Sequence, residues 1–309
     1  MLPLKKQTVL NESQTERVCI WRDRRANMRK KNKKSFIFIC IVLFSSILIL
    51  IRMKVLGSTN YLAGSSVTPT VFVHGYKGGE RSFGTMLSRF ETYGWGEKIM
   101  VIRISNTGRI TTSGDVKPHT EHPFIQVIFE NSRASIHDQA KWLDKTMKLL
   151  KDKYHIGQVN LVGHSMGGLA LTSYLEHIST SPYKYPVPKK LITIGSPFKG
   201  VYQEGYFERN TGEALIDLHP DSKALQRLVE NKGNFPGNIP VLSIAGVTFK
   251  SQIGDGLVSK ESAGGNQSIV PKQNFIQETV NDPNATHSGL HEHQDVDRMI
   301  GEFLWGIKN

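Results

Sequence analysis

The sequence predicts an α/β chain, a mostly parallel sheet covered by helices on both faces, preceded by an N-terminal transmembrane segment. Three observations carry this. From residue 68 onward, short apolar runs alternate with helical patterns, the rhythm of parallel strands joined by crossover helices. One run, Gln158-Val159-Asn160-Leu161-Val162, leads directly into Gly163-His164-Ser165-Met166-Gly167 and then into a helical stretch. Near the start, Phe36 to Ile51 is uncharged and apolar apart from Ser45-Ser46, with basic residues on both sides.

Residues 1–35 form a basic cytoplasmic segment in this reading; an alternative starts the chain at Met28, leaving 1–27 as a misannotated start. Residues 36–56 are the expected membrane span. The run Phe36–Ile51 rises about 24 Å as a helix, short of a hydrocarbon core of roughly 30 Å. Met53, Val55 and Leu56, with snorkelling of Arg52 and Lys54, supply the remainder. Arg29, Lys30, Lys31, Lys33 and Lys34 keep the amino side in the cytoplasm, which places the rest of the chain outside. The competing expectation is a cleaved signal peptide and a secreted domain. Arg52 and Lys54 directly after the apolar run fit a cleavage region poorly, so a retained anchor is preferred.

Residues 57–67, rich in Gly and Ser, read as a tether, and 68–309 as one domain. Strands are predicted at Thr68–Val73, Ile99–Ser105, Phe124–Phe129, Val159–Val162, Leu191–Ile194, Val241–Ala245 and Phe275–Val280. Helices are predicted near Ser82–Thr92, over Ser135–Lys153, at Leu169–Ile178 and at Val296–Trp305. The Ser135–Lys153 assignment rests on Ile136, Ala140, Leu143, Met147 and Leu150, spaced three to four apart along one helical face. Residues 198–237 interrupt the alternation. They are polar and charged, with a helical piece at Ser222–Glu230, and read either as a small cap near the site or as a surface excursion.

The formal charge of +12 suggests nucleic acid until it is located. Residues 1–56 hold 13 of the 39 basic and only 3 of the 27 acidic residues, leaving 26 against 24 in the remainder. The basicity belongs to the segment flanking the apolar run, and no nucleic-acid partner is expected. Both cysteines, Cys19 and Cys40, lie in the amino-terminal region, so the domain at 68–309 has neither an internal disulfide nor a cysteine-based zinc site.

The chemistry starts at Ser165. A serine between glycines on a sharp strand-to-helix turn has its hydroxyl exposed at the carboxyl end of a sheet, facing the N–H groups and positive dipole end of the next helix. A serine hydroxyl needs a base, and the base needs an orienting group. In Ile253-Gly254-Asp255-Gly256-Leu257, Asp255 sits on a glycine-flanked turn after a strand and is the expected acid. In His287-Ser288-Gly289-Leu290-His291-Glu292-His293, His287 stands nearest the preceding strand and is the preferred base, with His291 the alternative and His293 a surface residue. The same histidines suggest a metal site, but Ser288-Gly289 argues against a shared helical face and no Cys or carboxylate set completes one. No metal and no cofactor are expected. Two N–H donors must hold an oxyanion: Met166 after the nucleophile, and Tyr76 in Val73-His74-Gly75-Tyr76-Lys77-Gly78-Gly79. His74 precedes the nucleophile and is read as a brace for that loop.

Together these pieces resemble the α/β-hydrolase superfamily, lipase-like, and within it the Gram-positive α/β hydrolases of unknown function of the DUF915 type. The matching stretches are Val73-His74-Gly75-Tyr76, Gly163-His164-Ser165-Met166-Gly167-Gly168, Gly195-Ser196-Pro197-Phe198-Lys199-Gly200, Asp255-Gly256-Leu257-Val258 and His287-Ser288-Gly289-Leu290. In similar hydrolases the base lies about nine residues before an apolar residue of the closing helix, a spacing that His287 and Val296 reproduce. The resemblance implies an α/β-hydrolase fold and two-step acyl transfer: Ser165 attacks, His287 moves the proton, Asp255 holds the imidazolium, and water resolves the acyl-enzyme.

The expected function is a serine esterase, lipase-like, acting on small-molecule or lipid esters outside the cytoplasmic membrane, to which the N-terminal segment anchors it. An acyltransferase on cell-envelope components and a non-catalytic surface protein are the alternatives. The charges throughout 198–237, with no strongly apolar lid, lean toward small or soluble esters over bulk fat.

Overall fold

The computed structural model describes residues 44–46, 67–116, 120–178 and 181–308. Phe44, Ser45 and Ser46 are helical; the rest of the expected span at 36–56, the tether up to residue 66 and the segment at 1–35 lie outside the described residues. Among the described residues no helix is long and apolar enough to cross a membrane.

Eight strands form one sheet in the order β3-β2-β4-β1-β5-β6-β7-β8. They are β1 (Thr70–Val73), β2 (Glu97–Ile104), β3 (Ile110–Gly114), β4 (Pro123–Phe129), β5 (Gln158–His164), β6 (Val187–Ile194), β7 (Val241–Val247) and β8 (Phe275–Asn281). Every pairing is parallel except β2 with β3. Parallel strands must be covered on both faces, and β4 accordingly is buried at all seven positions.

Side chains alternate across the pleat, so adjacent residues enter different cores. Val71 and Val73 join the core under α2 (Ile136–Asp152) and α3 (Met166–Ile178), whereas Phe72 joins the core under α1 (Arg81–Thr92) and α7 (Gln294–Trp305). In that second core Phe72 meets Phe83 and Phe124 edge-on at 5.3 and 5.7 Å. The amphipathic spacing of α2 buries Ile136, Ala140, Leu143, Met147 and Leu150, and the Ser135 side chain caps its start by accepting from the Asp138 N–H.

Residues 198–237 carry α4 (Ala214–Leu218) and α5 (Lys223–Glu230). Most of their charges are exposed, though Asp217 turns in to accept from the Ile136 N–H at 2.7 Å, while Phe198, Val201, Tyr206, Leu218, Leu225 and Leu228 are buried in the core shared with α2 and α3. The short α6 (Lys260–Ala263) follows β7. β3, unpredicted from the sequence, is the antiparallel edge strand: Ile110-Thr111-Thr112-Ser113-Gly114 has no buried residue and therefore no apolar run to betray it.

Candidate active site

The loop after β1 and the turn from β5 into α3 fit together because each places a glycine at the contact. A Cβ on Gly75 would lie 2.6 Å from the Ser165 Cβ, and one on Gly167 would lie 2.3 Å from the Val73 carbonyl oxygen. Only glycine permits that approach. The Ser165 N–H donates to the Ile194 carbonyl at 2.8 Å, and the residue is held at φ 55°, the left-handed region that a side chain disfavours. Ser165 thus occupies the junction of strand and helix with its hydroxyl at the carboxyl edge of the sheet.

Two distant loops converge on that hydroxyl. His287 Nε2 lies 2.9 Å from Ser165 Oγ, and His287 Nδ1 lies 2.8 Å from Asp255 Oδ2. The buried Asp255 accepts from the Leu257 and Val258 N–H groups through Oδ1, at 2.9 and 2.7 Å, which fixes the carboxylate and leaves Oδ2 for the imidazole. The two loops are joined a second time by the His287 N–H donating to the Asp255 carbonyl at 3.0 Å. Gly195 lets the pair sit close to the end of β6: a Cβ there would stand 3.1 Å from Asp255 Oδ2. The structure brings His287, and not His291, to Ser165. His291 turns its Nδ1 to Glu292 Oε1 at 3.0 Å, and its ring meets that of His164 edge-on.

The two expected oxyanion donors flank the turn. Met166 opens α3, and its N lies 3.2 Å from where a Gly75 side chain would begin; Tyr76 follows Gly75. Neither backbone N–H has a hydrogen-bond acceptor among the described residues. The Tyr76 hydroxyl donates to the Thr211 carbonyl at 2.7 Å and its ring faces that of Tyr206, so residues 198–237 contact the loop beside Ser165.

Three residues other than the expected nucleophile, base, acid and oxyanion donors pack around these loops. His74 is buried, with Nδ1 2.8 Å from the Gly75 carbonyl and Nε2 accepting from the Phe129 N–H at 3.0 Å. Those partners require a neutral ring with its proton on Nδ1, and burial lowers its pKa to about 4. His164 donates from Nε2 to the His287 carbonyl at 2.9 Å, and burial, then the neighbouring His287 and His291, hold it well below the usual histidine range. Arg89 of α1 donates to the buried Asp297 of α7 at 2.6 and 2.9 Å and to the His291 carbonyl at 3.1 Å, tying the base loop to both helices. His74 was legible as a loop brace; His164 and Arg89 belong to no spacing pattern that marks a partner.

Two buried neutral histidines each make a contribution to stability that acid removes. Both have folded pKa values below the unfolded one, so folding excludes a proton. Their contribution to stability is intact above about pH 7 and is lost as the unfolded chain protonates below it. From pH 6.5 to 5, His74 alone removes about 1.5 kcal/mol, and His164 acts in the same direction. Burial raises the Glu176 carboxyl to about 8, which opposes this loss over the same range, so the His74 contribution is read as a difference. Urea unfolding is expected to show stability falling more steeply on acidification in the unsubstituted chain than in His74→Gln, and equal slopes would contradict the neutral His74 ring.

A family model described as an alpha/beta hydrolase of unknown function, DUF915, matches residues 59–307. The product of the gene lin2722 from Listeria innocua superposes with a TM-score of 0.68 and 26% identity, over 79% of this chain and 96% of that one. The mature lipase BlEst2 of Bacillus licheniformis superposes with a TM-score of 0.51 and 16% identity, over 80% of this chain and 96% of that one, a likeness of fold alone. GPI inositol-deacylase B of Yarrowia lipolytica (strain CLIB 122 / E 150) is 23% identical over 239 residues, 73% of this chain; the chain spans only 22% of that relative's length.

Proposed function

Because the chain belongs to the α/β hydrolase family DUF915, and is a hydrolase of that fold, we propose that it is a serine esterase that cleaves carboxylic esters through an acyl-enzyme, outside the cytoplasmic membrane. The observation that carries this reading is the hydrogen-bonded chain Ser165–His287–Asp255 with the serine on a left-handed turn.

The proton path follows from that chain. Asp255 Oδ2 accepts from His287 Nδ1–H, which leaves the Nε2 lone pair facing the Ser165 hydroxyl. As Ser165 Oγ bonds to the ester carbonyl carbon, His287 takes the hydroxyl proton, and the fixed Asp255 carboxylate stabilises the imidazolium. The carbonyl oxygen becomes an oxyanion between the Tyr76 and Met166 N–H groups, each worth about 3–4 kcal/mol in the transition state. Collapse expels the alcohol, which receives the proton from His287. Water, deprotonated by the same imidazole, then releases the acid and restores Ser165. No cofactor enters these steps.

A complete set of three reacting groups argues against a non-catalytic surface protein, since such a protein has no need to keep Ser165, His287 and Asp255 in register. The N-terminal anchor at 36–56 is the proposed route to the membrane. Hydrolysis of p-nitrophenyl esters of several chain lengths tests the reading, run with and without an acceptor alcohol. Ester turnover with Ser165 carrying the label from a fluorophosphonate probe supports it. Transfer to the alcohol in preference to water would make the protein an acyltransferase, and absence of both labelling and turnover would refute it.

A further inference from the structure

The sheet's carboxyl edge, which holds Ser165, also carries its most exposed large apolar side chains outside any helix. The excursion between β7 and Asp255 is a closed, well-bonded turn: the Gln252 N–H donates to the Thr248 carbonyl at 2.8 Å, and the Thr248 N–H to the Gly254 carbonyl at 2.9 Å. Gly254 bridges to Ser259, and the Lys260 N–H donates to the Ile253 carbonyl, so the turn is tied back to the start of α6. This hydrogen-bonded frame leaves Phe249 and Ile253 in solvent, at 69% and 68% exposure, with Ile253 two positions before Asp255.

Tyr202, 60% exposed, stands on the loop after β6 and faces Ile253 across a groove of about 780 Å³. Both loops leave the same ends of neighbouring parallel strands. A rigid turn that holds a phenylalanine and an isoleucine in water gains nothing for the fold, whereas apolar side chains at a protruding edge gain by entering a lipid interface. The charges agree. Lys250 sits between Phe249 and Ile253 and is exposed; Lys260 and Glu261 both line the groove, and Glu261 is paired with Lys199, which leaves Lys250 and the exposed Lys260 as the excess charge. A basic and apolar edge is complementary to a surface of anionic headgroups.

We propose that Phe249, Ile253 and Tyr202, with Lys250 and Lys260, form a docking edge for an anionic lipid bilayer, and that the site takes esters presented at that surface. The proposal rests on the serine-esterase reading and names its substrate class as membrane-borne esters. It draws its apolar surface from the β7–α6 turn and from Tyr202 at the start of the 198–237 excursion.

The test uses the full chain carrying Ser165→Ala, so that no lipid is consumed, with vesicles of phosphatidylcholine and phosphatidylglycerol whose acyl chains are brominated. Phe249→Trp in this background is expected to be quenched by the bromines. Tyr183→Trp is the control, an exposed position before β6 at the opposite edge of the sheet. No quenching at Phe249→Trp, or equal quenching at both positions, would overturn the proposal. With Ser165 intact, the double variant Phe249→Ser/Ile253→Ser is expected to raise KM for a vesicle-borne ester about tenfold. Its kcat/KM for soluble p-nitrophenyl butyrate should be unchanged, and an equal loss on both substrates would count against docking. Self-association lost in the double variant without lipid, together with absent quenching, would make the edge an interface between copies instead. Loss of soluble-ester turnover in Ser165→Ala alongside absent quenching would leave the esterase reading standing and remove only the docking edge.

Discussion

Ser165→Ala is expected to lower kcat for ester hydrolysis by about 10⁴–10⁶-fold and to abolish labelling by a fluorophosphonate. The size follows from what the hydroxyl does. Its hydrogen bond to His287 Nε2 at 2.9 Å starts the proposed proton path, and without the oxygen the proposed covalent intermediate has no nucleophile. The remaining rate is what the oxyanion donors and substrate binding give to direct attack by water. The melting profile is expected to stay nearly the same, because alanine keeps the Cβ and the same left-handed backbone while removing one partly solvated hydrogen bond. Retained turnover in Ser165→Ala would refute the nucleophile outright, and lost turnover accompanied by a collapsed melt would leave the chemistry unproven.

Replacing the two histidines separately should give effects that differ by orders of magnitude. His287→Ala removes the proton acceptor of Ser165 and the partner of Asp255, and is expected to cost about 10⁴-fold or more in kcat. His291→Ala removes a ring whose Nδ1 is already directed to Glu292, and whose carbonyl, not its side chain, meets Arg89. Less than a tenfold loss is expected from it. The comparison is made on one soluble ester at a pH above 7, where the buried neutral histidines leave the fold unperturbed. A larger effect at His291 than at His287 would reassign the base.

Much of this architecture was legible because parallel strands and amphipathic helices write strong apolar patterns. Residues 70–73, 124–129 and 241–245 are buried on both faces and are apolar apart from Thr70, Gln126 and Ser243. Where burial is one-sided or lacking, the pattern fades. β3 is an exposed Thr- and Ser-bearing edge, and the start of β6, Val187-Pro188-Lys189-Lys190, is largely exposed, so the predicted strand began only at Leu191. The helix after Ser165 begins at Met166, three residues before its predicted start, because Gly167 and Gly168 are poor helix formers kept there by contact: a Cβ on Gly168 would stand 2.1 Å from Ser196 Oγ.

The site was legible in a different way. Ser165, Asp255 and His287 were chosen from chain order and turn chemistry, and the side chains meet in space. Residues that act through others left no such trace. His164 reaches the carbonyl of His287, and Arg89 reaches across more than two hundred positions to Asp297; both contacts depend on how helices and strands pack, which no local spacing encodes.

The φ of 55° at Ser165 carries an evolutionary cost. A residue with a side chain in that conformation sits roughly 1–2 kcal/mol uphill, and glycine would escape the strain at an entropic cost of about 0.5–1 kcal/mol. Ser165→Gly is therefore expected to melt higher than Ser165→Ala, and a lower melting temperature would contradict the strain. The chain keeps the less robust residue at the one position where robustness and reactivity pull in opposite directions. A descendant freed from its reaction would find an easy downhill path to glycine there, and its greater heat tolerance would be the mark of lost chemistry.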